Sequence, residues 1–179
     1  MEQEKSTVRG PARSIDEVIE RLRIIVGETQ DANSTMGYFA ALYRRVTVEV
    51  KRKIAEGYFD DNARMERLDV LFANRYLEAY DAYREERPLT RSWRFAFDAA
   101  GSWHYIVLQH LFLGMNAHIN LDLGIATAQA APGSAILSLE NDFKKINTIL
   151  LSLIDEVEAK LAEIWPMRRR PCAENGYRT

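Results

Sequence analysis

Residues 110–123 read HLFLGMNAHINLDL, an apolar helical run with two histidines, two asparagines and an aspartate threaded through it. The stretch belongs to a longer segment in which charge almost vanishes. Across the 41 residues between Asp98 and Glu140, Asp122 is the only formal charge. A surface helix needs a charged outer face, and one without it all round belongs inside a bundle. Residues 93–130 are therefore predicted as a central helical element buried on all sides, with Gly101 or Gly114 as candidate bends. Its length would allow a membrane span. However, three histidines, Gln109, Asn116, Asn120 and Asp122 would each be costly in lipid, which favours a soluble helix.

The flanking sequence supplies the helices that would surround it. Ser14 and Glu17 have capping-box spacing, and Ile15, Val18, Leu22 and Ile25 recur at helical intervals up to Gly27. A second helix is predicted from Met36 to Ala55, with Phe39, Tyr43, Val46, Val50 and Ile54 on one face. A third runs from Ala63 to Glu86, stopped by Pro88; Asp69 falls on the edge of its apolar face. After the break at Ala131-Pro132-Gly133-Ser134, a last helix spans Ser138 to Trp165 and ends at Pro166. No strand pattern, repeat or long heptad array competes. The expectation is an all-α, single-domain bundle of about five main helices, occupying residues 14–166 between a flexible leader (1–13) and a basic polar tail (167–179).

Composition narrows the function classes. The 179 residues are 47% hydrophobic and 28% charged, with a net charge of −2, so there is no general attraction to nucleic acid or anionic membrane. Cys172 is the only cysteine, and the polar start MEQEKSTVRGPARS carries no secretion signal, so a cytoplasmic location is expected. No glycine-rich phosphate loop, G-x-S-x-G element or paired Glu-x-x-His motif is present. A nucleotide cofactor is not expected.

The polar residues of the central element form two stripes. At about 100° per residue, His104, His110, His118 and Asp122 occupy about a third of the circumference, with Gly114 among them. Gln109, Asn116 and Asn120 project elsewhere. His110 and His118 are about 12 Å apart along a straight axis, too far to share one metal ion. His118 and Asp122, at i and i+4, can meet. They can hold a metal together, or Asp122 can orient the imidazole and raise its basicity. Asp69 is the best candidate for a further ligand or acid, and His110 is a secondary one. Gly114 would let a ligand or another helix come close. Tyr76, Tyr80 and Tyr83 read as packing residues, Tyr76 being the candidate pocket hydroxyl.

The motifs YRRVT (43–47), LDVLFANRYLEAY (68–80), Trp93/Phe97 and LGMNAHINLDLG (113–124) resemble a bacterial family of all-helical proteins of unknown function. That resemblance implies the helical fold and no established activity. The segment Leu113-Gly114-x-x-x-His118-x-x-x-Asp122 also resembles the L-G-x-x-x-H-x-x-x-D segment of zinc-dependent phospholipase C and P1 nuclease. This second likeness implies metal-ligand roles for His118 and Asp122. No histidine follows Asp122, so it implies one metal or none rather than a multi-zinc cluster.

Two functions remain open on the sequence. One is a small soluble enzyme acting on a small, fairly apolar molecule. His118 and Asp122 would then perform acid–base chemistry (cyclisation, isomerisation or elimination, as in secondary metabolism), or hold one Zn, Fe or Mn ion for hydrolysis. Asn116 and Asn120 would orient substrate or stabilise an oxyanion. The other is a non-catalytic helical module that binds a ligand or a protein, the polar stripe being a core network. A homo-oligomer is compatible with either, and neither nucleic acid nor membrane is an expected partner.

Overall fold

A computed structural model of the chain describes residues 10–100 and 106–164, with side chains described as far as Leu153. The described residues form an all-α bundle without strands: α1 (Ile15–Asp31), α2 (Gly37–Ala55), α3 (Asn62–Arg84), α4 (Arg91–Ala100), α5 (Val107–Ala117), α6 (Leu123–Ala130) and α7 (Glu140–Ile164). A π-helical turn, His118–Asp122, joins α5 to α6, and a 3-10 segment, Gly133–Leu139, precedes α7. The candidate bend Gly101, together with Ser102, His104, Cys172 and Arg168 to Arg170, lies outside the described residues.

Local chemistry explains the ends. The Ser14 hydroxyl accepts from the Glu17 amide at 3.3 Å, while the Glu17 carboxylate reaches back to the Arg13 amide at 2.8 Å, so the expected capping box forms one residue wide of its usual partner. Gly27 does not stop α1, which continues to Asp31. Asp61 caps α3 through the Arg64 amide at 2.9 Å.

The leader predicted as flexible through residue 13 is held at its described end. Ala12 is buried and exchanges two hydrogen bonds with the Asn74 amide, at 2.7 and 2.9 Å. The buried Arg21 bonds both the Gly10 carbonyl and Asp81.

Helix α3 lies against α1, α2 and α6; α4 packs on α5, and α7 on α2. One core cluster gathers Val18, Leu22, Phe39, Tyr43, Tyr76 and Trp93. The other gathers Val50, Leu68, Ala126, Leu139 and Ile149. The predicted continuous element is described as α4 and, separately, α5 through α6. It is not buried all round. His110, Leu111, Gly114 and Ala117 face inward, whereas Leu108, Phe112 and Ile119 are 47, 57 and 42% exposed. Lack of charge implied full burial; here the outer face is apolar and amidic instead.

Candidate functional site

The buried carboxylate of Asp122 is the centre of the arrangement. Burial of a carboxylate is costly unless donors surround it. Three side chains provide them. His118 places Nδ1 3.1 Å from Oδ2, and the Trp93 indole N–H donates to the same oxygen at 2.8 Å. The Arg75 Nε donates to Oδ1 at 3.4 Å. Helices α3, α4 and the π turn thus meet on one carboxylate.

The π turn makes this possible. The Leu123 amide bonds the His118 carbonyl, five residues back, so the helix widens where His118 and Asp122 turn inward together. Such single wide turns are frequent at functional sites. Around His118 the packing is aromatic. Phe72 stacks on the imidazole with centroids 3.6 Å apart and planes 6° from parallel. Tyr43 meets it edge-on at 4.7 Å, and Phe39 at 5.8 Å.

Burial lowers the His118 pKa below imidazole's ordinary value, outweighing the pull of Asp122, and the Arg75 charge adds to the lowering. A neutral imidazole beside a carboxylate carries its proton on Nδ1, which donates to Asp122. Its Nε2 is then an acceptor. That atom is buried and has no hydrogen bond among the described residues, as is also true of the Tyr43 and Tyr76 hydroxyls and Asp69 Oδ2. Burial pushes the Asp69 carboxyl up to about 7, with Glu66 adding to the rise. Burial likewise raises Tyr43, reinforced by Asp69 and then Asp122.

The remaining sequence candidates separate. His110 is buried two turns before His118 and is not among the three side chains bonded to Asp122. Asp69, His118 and Asp122 do not form a metal-binding group, nor does any other set of three or more His, Cys, Asp or Glu among the described residues. Asn116 and Asn120 are exposed and bonded to each other on the outer face, so they are not placed as oxyanion donors beside His118. Tyr76 is fully buried in the aromatic core. Gly114 admits another helix rather than a ligand: a Cβ there would lie 2.6 Å from the Phe39 ring.

A cavity of about 350 Å³ opens beside the Asp122 cluster, lined by Arg75, Glu78, Leu89, Thr90 and Trp93 among others. Two of Asp122's donors therefore form part of its wall, while His118 and Asp122 do not. Sequence reasoning missed two of these residues: Trp93, which entered only as part of a family-like motif, and Arg75. Arg75 is the only cation between Arg67 and Arg84 on α3, and a buried acid without a cation on its own helix called for one from elsewhere.

A family of unknown function, DUF5995, matches residues 15–174. The chain belongs to the DUF5995 family. No curated protein and no solved structure matches it. Three of the motifs read as family-like converge in this DUF5995 chain: Arg75 from LDVLFANRYLEAY, Trp93, and His118 with Asp122 from LGMNAHINLDLG. None of the described helices in this DUF5995 protein is long and apolar enough to cross a membrane.

Proposed function

We propose that the protein binds a small, largely apolar molecule carrying a carboxylate in the cavity beside Arg75, with His118 and Asp122 holding Arg75 and Trp93 in position. One observation carries this reading. Arg75 spends its Nε on Asp122, and its terminal nitrogens make no hydrogen bond among the described residues although the side chain lines the cavity. A guanidinium fixed at one nitrogen presents its other donors in a planar fork suited to a carboxylate. Leu89, Pro88, Ala79 and Ala82 supply apolar wall, while Thr90 and Glu78 supply polar contacts. The volume falls within the usual range for small-molecule sites.

The test is calorimetric titration with benzoate and hexanoate, their neutral amides as controls, against wild type and Arg75→Gln. The carboxylates should bind wild type at least about tenfold more tightly than Arg75→Gln, a difference of about 1.4 kcal/mol. Equal affinity for both proteins would remove Arg75 as the anchor.

A catalytic version rests on a different observation, the buried acceptor His118 Nε2 next to an orienting carboxylate. Here Nε2 would take a proton from a molecule admitted past Trp93. It predicts conversion of a bound carboxylic substrate, followed by NMR, that His118→Gln abolishes even at substrate concentrations that saturate the variant's site. The single-metal version predicts a stoichiometric divalent ion in purified protein that is lost in His118→Ala. Asp122's lone pairs already face three N–H donors, one of them cationic, which weighs toward the metal-free versions.

A further inference from the structure

Among the described residues, two charged side chains line the cavity, Arg75 and Glu78, and they carry opposite signs. Both belong to α3, three residues apart, which sets their Cβ atoms about 5–6 Å from each other on neighbouring turns. Opposite charges at this spacing attract on a helix surface. Here they do not pair. Arg75 is turned toward Asp122 through its Nε, and Glu78 makes no hydrogen bond or ion pair among the described residues.

The sum of these charges bears on what the cavity accepts. The buried Asp122 already opposes the Arg75 charge, and the neutral His118 adds none. Glu78 is left as an exposed negative charge on the wall. A simple carboxylate held by the Arg75 terminal nitrogens would lie about one helical turn from this second carboxylate, with no cation between them. Like charges so close repel, and more strongly where the wall excludes water. An ammonium beside the ligand's own carboxylate removes that repulsion and gives Glu78 a charged donor.

We infer that the ligand of this cavity is a zwitterionic amino acid with an apolar side chain, its carboxylate on Arg75 and its ammonium on Glu78. This rests on the reading of the cavity as a carboxylate site and adds the second half of the recognition. In an α-amino acid the two charged groups stem from one carbon. With a hydrogen bond of about 3 Å at either end, they span the gap between side chains on adjacent turns. The remaining wall suits the side chain. Ala79, Pro88 and Leu89 are apolar, and the Trp93 N–H is engaged by Asp122, which leaves its ring as hydrocarbon surface.

Calorimetric titration of the full chain at about pH 7 tests this with three probes. They are L-phenylalanine, hydrocinnamate, which has the same skeleton without the amine, and phenethylamine, which lacks the carboxylate. Wild type should bind phenylalanine at least about tenfold more tightly than either of the others. Glu78→Gln, a change at an exposed position, should abolish the advantage over hydrocinnamate and leave hydrocinnamate bound as tightly as before or more tightly. Arg75→Gln should weaken both phenylalanine and hydrocinnamate. If hydrocinnamate matches phenylalanine in wild type and weakens in Arg75→Gln, the inference falls while the carboxylate site stands. Phenethylamine binding as tightly as phenylalanine overturns it, since the carboxylate would then add nothing. Equal phenylalanine affinity in wild type and Glu78→Gln overturns it by removing Glu78 from the site. Absence of phenylalanine binding overturns it as well, and hexanoate binding then decides whether the Arg75 site itself survives.

Discussion

Asp69 and His118 are both buried titratable groups, yet they respond to pH in opposite senses. The folded chain holds the Asp69 proton up to about pH 7, where the unfolded carboxyl has released it from about 4 onward. Its contribution to stability therefore falls as pH rises through that window and levels above 7. Asp69→Asn removes the titration and keeps the shape. Its stability relative to wild type should climb between pH 4 and 7, by at most about 4 kcal/mol, in urea denaturation measured across that range. A pH-independent difference would show that Asp69 is not buried as an acid. His118, held below its ordinary value, acts the other way: protonation disfavours the fold as pH drops below about 6.5. Asp69's inward position was legible from helical spacing, but its solitude was not, because spacing along one helix says nothing about what the facing helices bring.

Among the elements, α5 depends on its close approach to α2. Gly114→Ala would normally favour a helix by about 1 kcal/mol. Here the added methyl meets Phe39 Cδ2 at 2.6 Å and Cγ at 2.8 Å, near the root of a ring packed against Tyr76, Trp93 and His118. Such a ring cannot swing aside, so the variant should lose about 1–3 kcal/mol by overpacking. Gly124→Ala, with open space around it, should be neutral or slightly stabilising. Thermal melting of the two variants separates steric contact from propensity; equal melting points would remove the proposed close packing. The i, i+4 spacing identified the His118/Asp122 pair from sequence. The π turn that carries it was not legible, since an apolar helical pattern tolerates one wide turn without changing its residues.

For the molecule as a whole, Asp142 ties α7 to the rest. Fully buried, it accepts from the Asp60 amide at 2.8 Å and from Arg64 on α3 at 3.0 Å. Asp142→Ala leaves the Asp60 amide without its acceptor and Arg64 with only its Ser138 bonds and a long contact to Asp61, and should cost about 2–3 kcal/mol. Hydrogen exchange should show α7 opening before α1 to α3; uniform loss of protection would mean that α7 is not separately anchored. Nothing in the amphipathic stripe of the last helix singled out Asp142, which reads there as an ordinary acid of a first turn.

The sequence by itself determined the helical class, the main breaks, and the pairing of His118 with Asp122, because each follows from spacing within one segment and from the conformational demands of Pro, Gly and capping residues. Only the tertiary structure decided that Arg75 and Trp93 complete the Asp122 cluster, that Asn116 and Asn120 face outward, and that the uncharged element is open along one side. The physical reason is common to all three. A side chain's direction around a helix is set locally, but what covers that direction depends on where distant helices pack. A missing charge marks a surface that avoids water without saying whether its own chain or another molecule provides the cover.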